Sequence, residues 1–275
     1  MLDIRIQPTN IQHPISNISL PMNKILALWA VPRSTSTAFE WMMRMRGDLD
    51  CYHEPFGEAW YQGEDPLWPR FQADSVRTPG LTLEGVWETL QAAADKEAAQ
   101  NRTVFIKDFP HYLDHDPFYA SEEFLSKFNH SFLIRDPAKT ITSMYKHWPD
   151  FHEKEVGFIE QRQLFDRLCD LLGTPPPVID SDDLLEDPFK MVEVYSNAVG
   201  IPFLPEALSW EPGNRDEVSW WDGGSFHANL RNSDGLKPQI RKYIDITAAP
   251  DRVKEIYEKA LPHYETLYQH RLSGN

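Results

Sequence analysis

Residues Ile25 to Glu40 read ILALWAVPRSTSTAFE. The seven apolar residues Ile25 to Val31 form an unbroken run, and a run this short predicts a strand buried on both faces, because a half-buried strand would alternate. Pro32 ends it, Arg33, Ser34, Thr35, Ser36 and Thr37 follow, and AFEWMMRMR (38–46) is amphipathic and helix-forming. Thr37 and Glu40 fit a capping box that would set the helix start. A strand, a hydroxyl-rich turn and a helix in that order aim free N–H groups and the positive end of a helix dipole at one point, so an anion is the expected guest. An ordinary N-cap leaves the same local composition. Arg33 tips the balance, since a guanidinium at a strand end can fork onto a phosphate or a sulfate.

Outward from this segment the pattern repeats. Thr103 to Ile106 (TVFI), Ser131 to Ile134 (SFLI) and Pro177 to Ile179 (PVI) are further short apolar runs. Helical spacing of apolar residues marks Leu81 to Gln100, Phe158 to Leu172 and Asp251 to Leu272. Buried strands alternating with helices predict a single α/β domain over residues 1–275, with a central parallel β-sheet flanked by helices. Residues 1–22 are expected as an N-terminal extension. Trp60 to Gly80 has no period and reads as a long loop on the substrate side, and Ser219 to Phe226 (SWWDGGSF) is a second irregular aromatic cluster.

Composition narrows the function. With 42 Asp and Glu against 27 Lys and Arg, the 275 residues carry a net charge of −15. That argues against a nucleic-acid or anionic-membrane partner, whose binder needs a basic footprint, so an anionic ligand must be held by a local pocket. Two cysteines, Cys51 and Cys169, make no disulfide framework, and a reducing cytoplasm is the expected location. There is neither a long apolar run for a membrane span nor a leader-like start. His111, Asp114, His115 and Asp116 could suggest a metal, but the run lies between Pro110 and Pro117 and reads as a solvated loop, so no metal site is expected.

Between Ile25 and Arg46 there is no glycine, which excludes the Walker A pattern and makes a P-loop nucleoside triphosphatase the weaker choice. A second anion site is written in FLIRDPAKTITSMYK (132–146), where Arg135 ends a buried strand beside a helix start and Ser143 follows eight residues later. A structural ion pair of Arg135 with an acidic neighbour is the plainer reading of that motif alone. Together the two segments resemble the sulfotransferases that use 3′-phosphoadenosine 5′-phosphosulfate (PAPS). AVPRSTSTAFE is similar to their 5′-phosphosulfate loop in its arginine form, usually PRSGST, and Arg135, Pro137 and Ser143 to their 3′-phosphate motif. Weaker similarity runs through VIDSDDLLEDP, LSWEPG and the NSDG turn, over roughly residues 24 to 240. Thr35 departs from the pattern, standing where the family usually has glycine, a residue that accepts φ > 0 without strain.

The resemblance implies a P-loop-like sulfotransferase fold, PAPS as co-substrate and a small-molecule hydroxyl as acceptor. It implies donor contacts from Arg33, Ser34, Thr35, Ser36, Thr37, Arg135 and Ser143. Sulfuryl transfer, like phosphoryl transfer, asks the protein to align an in-line attack, neutralise the leaving oxygens and take a proton from the acceptor. Lys107, which follows the strand TVFI, would emerge near Arg33 and Arg135, and the family carries a functional lysine at a similar strand end; a surface lysine is the alternative. Glu54, 21 residues after Arg33, is the first candidate for the base, as in the arginine-type branches. His111 is its rival, because cytosolic members use a histidine just beyond the same lysine, though two residues after it rather than four. His53 and Asp108 are candidate supporting partners. Trp60, Tyr61, Trp68, Phe71, Trp220 and Trp221 are expected either to wall an acceptor site or to fill the core, and the acidic excess suits a polar or cationic acceptor. Two other functions stay open: a P-loop-like nucleotide-dependent phosphotransferase, and a nucleotide-binding module without catalysis.

Overall fold

The computed structural model describes residues 24–68, 78–218, 228–238 and 243–274. Five strands, β1 (Ile25–Ala30), β2 (Leu49–His53), β3 (Thr103–Asp108), β4 (Phe128–Ile134) and β5 (Val178–Asp180), form one parallel sheet in the order β2-β3-β1-β4-β5. The described helices are α1 (Ser36–Met45), α2 (Pro55–Gln62), α3 (Leu83–Ala98), α4 (Glu122–Leu125), α5 (Pro137–His147), α6 (Phe158–Leu172), α7 (Ser181–Glu186), α8 (Pro188–Val199), α9 (Ala228–Arg231) and α10 (Asp251–Tyr268). The chain is thus an α/β domain with a central parallel sheet flanked by helices.

The apolar runs fold as strands because helices cover the sheet. Every residue of β1 is buried, consistent with its unbroken apolar sequence. Helices α2 and α3 pack on β3, α1 on β2 and β3, and α10 on α5, α6, β4 and β5. Strand β2, LDCYH, has no apolar run to announce it. This edge strand is half-buried, with Asp50, Cys51 and Tyr52 only partly covered.

Several polar groups inside this core have defined partners. Trp29 Nε1 donates to His130 Nδ1 at 2.9 Å, and His130 Nε2 donates to the Leu125 carbonyl at 2.9 Å. Burial pushes the His130 ring down to about 4, so it stays neutral in the one tautomer that fits both bonds. The Gln161 side-chain amide donates to the carbonyls of Trp29 and Leu133 at 3.1 Å each, tying α6 to the carboxyl ends of β1 and β4. In the strand order the chain leaves β1 on one side for β2 and later crosses from β3 to β4 on the other. The crevice above the end of β1 is therefore where an open α/β sheet accepts a ligand.

The supposed loop from Trp60 begins later than its composition suggests. Trp60, Tyr61 and Gln62 complete α2, because burying the two rings on one helix face removes more apolar surface from water than a loop could. Trp60 stacks on Trp68 with centroids 5.4 Å apart. Phe71, Trp220, Trp221, the cluster 219–226 and the extension 1–22 lie outside the described residues.

Candidate active site

An open cavity lies above the carboxyl ends of the strands. Arg33, Thr35, Ser36 and Thr37 from the turn after β1, and Ser143 from α5, form one wall. Facing parts are supplied by His53, Glu54, Tyr61, Phe109, Tyr112, Met144, Trp148 and Glu155, and by Asn229, Leu230, Ser233 and Gly235.

The turn is built differently from a capping box. Helix α1 starts at Ser36 with Thr35 as its N-cap, no side chain caps it, and Glu40 is drawn inward to other partners. Thr35 has φ 73°, and Arg33 has φ 67°. The left-handed backbone that a glycine would supply is therefore kept, with a β-branched residue in it at a cost of about 1–2 kcal/mol. The first N–H groups of α1, at Ser36 and Thr37, have no helical carbonyl to accept them, and both residues line the cavity. Thr35 Oγ1 is buried and has no hydrogen-bond partner among the described residues. Such an orphaned hydroxyl beside free amide donors suits an oxyanion.

Ser34 plays another part. Its hydroxyl donates to the Val31 carbonyl at 2.6 Å, and its own carbonyl accepts from the Ser181 hydroxyl, so the side chain braces the turn from below and does not line the cavity. Arg33 Nε donates to Ser143 Oγ at 3.1 Å. Arg135, 3 % exposed, lies under the turn: Nη1 donates to the Arg33 carbonyl at 3.0 Å, and Nη2 to the Tyr243 hydroxyl. Its Nε, also buried, has no partner among the described residues.

Behind the His53 and Glu54 part of the lining sits a group of charges. Lys107 is fully buried and pairs with Glu54, with Glu40 at 3.9 Å. Register explains the meeting: His53 of β2 stands opposite Lys107 of β3, the Glu54 N–H bonds the Lys107 carbonyl at 2.9 Å, and α1 lowers Glu40 onto the same face. Glu54 is the N-cap of α2 with φ 44°, before Pro55. Of four described non-glycine residues with positive φ, Arg33, Thr35 and Glu54 are all at this cavity, and backbone strain held in place by its surroundings gathers at functional sites. Asp108 accepts from the N–H groups of Phe56 and Phe109 at 2.8 and 2.9 Å, fastening α2 to β3. Burial, then the Glu54 charge, raises its carboxyl well above the usual range.

His111 is away from this group. It is buried beneath the cavity lining among Trp60, Phe109 and Tyr112, neither ring nitrogen has a hydrogen-bond partner among the described residues, and burial pushes it down to about 3. Glu155, which composition alone did not single out, lines the cavity with one oxygen 3.2 Å from the Tyr61 hydroxyl and the other accepting from the His152 N–H at 2.7 Å. The LSWEPG and NSDG turns meet here: Trp210 N–H donates to the Asp234 carbonyl and Leu236 N–H to that of Leu208. A Cβ on Gly235 would stand 2.6 Å from the Leu208 oxygen, which is why glycine holds the position. Among the described residues no three His, Cys, Asp or Glu side chains are grouped to hold a metal ion.

Comparison with known proteins gives this arrangement a context. The family model described as "Sulfotransferase domain" matches residues 23–269. Two curated Arabidopsis thaliana proteins, branched-chain-amino-acid aminotransferase-like proteins 2 and 1, are 27 % and 26 % identical over 256 and 252 residues. The matches take in 90 % of this chain but 42 % of each relative, so those names describe proteins that hold more than this region. Among solved structures, the sulfotransferase domain of the Synechococcus PCC 7002 olefin synthase aligns with a TM-score of 0.46 at 16 % identity, covering 90 % of this chain and 98 % of that one.

Proposed function

The chain belongs to the sulfotransferase domain family, and from that premise we propose that it moves the sulfuryl group of PAPS to a hydroxyl of a small polar or cationic molecule. One observation carries the reading. Arg33, Ser36 and Thr37 at the start of α1, the orphaned Thr35 hydroxyl and Ser143 line the same cavity as Glu54, which is paired with a buried lysine.

The donor, when bound, supplies an activated sulfuryl group on its 5′-phosphate. Arg33 and the amides of Ser36 and Thr37 would receive the phosphosulfate oxygens, and each preorganised donor of this kind is worth about 3–4 kcal/mol when charge develops on it. Ser143, and Arg135 through its remaining Nε, would receive the 3′-phosphate. Lys107 pairs with Glu54 and holds its carboxylate in place, and Glu54 would take the acceptor proton. Tyr61, Phe109, Tyr112 and Trp148 offer an apolar wall for the acceptor, while Glu155 accepts a donor or cationic group on it. Cys51 and Cys169 are both free thiols. Among the described residues no helix is long and apolar enough to cross a membrane.

Thermal unfolding with adenosine 3′,5′-bisphosphate or with Mg-ATP tests the reading. At about 100 times its dissociation constant the bisphosphate should add ~2.7 kcal/mol, a rise of roughly 5–10 °C. Stabilisation by Mg-ATP and none by the bisphosphate would replace sulfuryl transfer with a phosphotransferase.

A further inference from the structure

Behind Glu54 stands a second titratable pair that sulfuryl transfer does not require in itself. His53 ends β2 one residue before Glu54, and its two ring nitrogens have different surroundings. Nδ1 lies 2.6 Å from Glu40 Oε2, while Nε2 faces Glu54 Oε1 at 3.9 Å, on the lining of the cavity. Glu40 is fully buried; burial raises its carboxyl, but His53, Lys107 and Arg44 outweigh this and bring it down to about 2.

An ionised Glu40 can only accept, so the hydrogen on the shared contact belongs to His53 Nδ1. In the neutral ring Nε2 is then the basic nitrogen, and it is turned toward Glu54. The charges around the ring come from every packed element: Glu40 and Arg44 on α1, Glu54 and Glu58 beside it on α2, and Lys107 on β3.

We propose that His53, oriented by Glu40, is the proton sink of the reaction, taking through Nε2 the proton that Glu54 removes from the acceptor. The proposal rests on sulfuryl transfer with Glu54 as base. In balance, the acceptor oxygen bonds to sulfur as its O–H bond breaks, and the electron pair of the broken S–O bond stays on the phosphate oxygen. The proton forms an O–H bond on Glu54 and then an N–H bond on His53.

Lys107 supplies the reason for the second step. A protonated Glu54 is neutral and leaves the buried Lys107 without its close carboxylate, with Glu40 still 3.9 Å away. A buried charge that has lost its partner is unfavourable. Passing the proton on restores the Glu54–Lys107 pair and sets an imidazolium between two carboxylates. The 3.9 Å gap belongs to a Glu54 held by Lys107; a protonated Glu54 loses that attraction and becomes a donor, and separations of this kind tighten in loaded sites. Glu40 is a positioning residue, because it touches His53 and not the reacting atoms.

Histidine ¹⁵N spectra of the full chain and the pH dependence of kcat/KM test this together. In the wild type, His53 should be neutral above its pKa with the proton on Nδ1, and the acidic limb of kcat/KM should follow its titration, since a charged sink accepts no proton. His53→Gln should lose about 100-fold in kcat, the usual scale of acid–base assistance, with affinity for the bisphosphate held within about twofold. Glu40→Gln should lower the His53 pKa and move the acidic limb down with it. A His53 that carries its proton on Nε2, or a His53→Gln enzyme with kcat within threefold and an unmoved limb, overturns the relay while leaving sulfuryl transfer standing. A wild-type chain that neither binds the bisphosphate nor transfers sulfuryl fails at the prior step and overturns both.

Discussion

Arg33 Nε donates to Ser143 Oγ at 3.1 Å, joining the turn after β1 to α5 across 110 residues of sequence. The bond brings the turn after β1 and Ser143 of the second arginine motif to the lining of one cavity, and it restricts the guanidinium's other rotamers. Preorganisation of this kind lowers the entropy lost on binding.

Arg33→Ala and Ser143→Ala should each weaken adenosine 3′,5′-bisphosphate by roughly 10- to 150-fold, the range for a hydrogen bond to a charged group. Because the two side chains touch, the double variant should lose less than the two single losses combined. Titration calorimetry on the four proteins measures the cycle, and full additivity would mean that the two groups act on the ligand separately.

Glu54→Gln should bind the bisphosphate normally and lose turnover by about 100-fold or more, because an amide takes no proton. Single-turnover measurements with labelled donor separate chemistry from binding. If His111→Ala shows that loss and Glu54→Gln does not, the base is His111, and its burial must give way in the working enzyme.

Thr35 holds φ 73° at the N-cap of α1. Thr35→Gly removes about 1–2 kcal/mol of left-handed strain and adds unfolded-chain entropy worth about 0.4–1 kcal/mol. The expected net effect is a stabilisation of about 0–1.6 kcal/mol by denaturant unfolding, with the turn unchanged. Destabilisation would show that the Thr35 side chain contributes more to the turn than its strain removes.

His111 is held down at about 3 by burial, against about 6.5 in the unfolded chain. A folded value below the unfolded one means that the unfolded state takes up the proton first. The stability tied to the neutral ring is therefore complete above about pH 6.5 and falls by about 1.4 kcal/mol per pH unit down to about 3. His130, at about 4, behaves alike over a shorter window, and Glu40, at about 2, adds its own loss only below its unfolded value of 4.5. His111→Leu should flatten the pH dependence of unfolding free energy by that one-proton slope between pH 6.5 and 4, whatever its effect at neutrality. An unchanged slope would mean that the ring is already charged in the fold.

Much of the sheet was legible because β1, β3, β4 and β5 are covered on both sides and so carry apolar runs. Edge strand β2 was not, and with it went the position of His53. Helix limits inferred from local chemistry fared less well where a long-range partner competed. Glu40, which fits a capping box on paper, goes to the His53 ring and the Arg44 guanidinium, since charge-assisted bonds in a buried setting gain more than one amide bond offers. Tyr61 and Glu155 reach the same cavity from segments 94 residues apart, a meeting that no local pattern encodes.

From the sequence alone come the order of strand, hydroxyl turn and helix, the second arginine motif, and so the α/β class and the expectation of an anion. These are local properties, set by which residues can be buried, can turn and can donate. Which side chains meet was decided only by the tertiary structure. Registering β2 on β3 and seating α1 over them puts Glu40, His53, Glu54 and Lys107 in one buried group, where charges are tuned by neighbours that the chain keeps far apart.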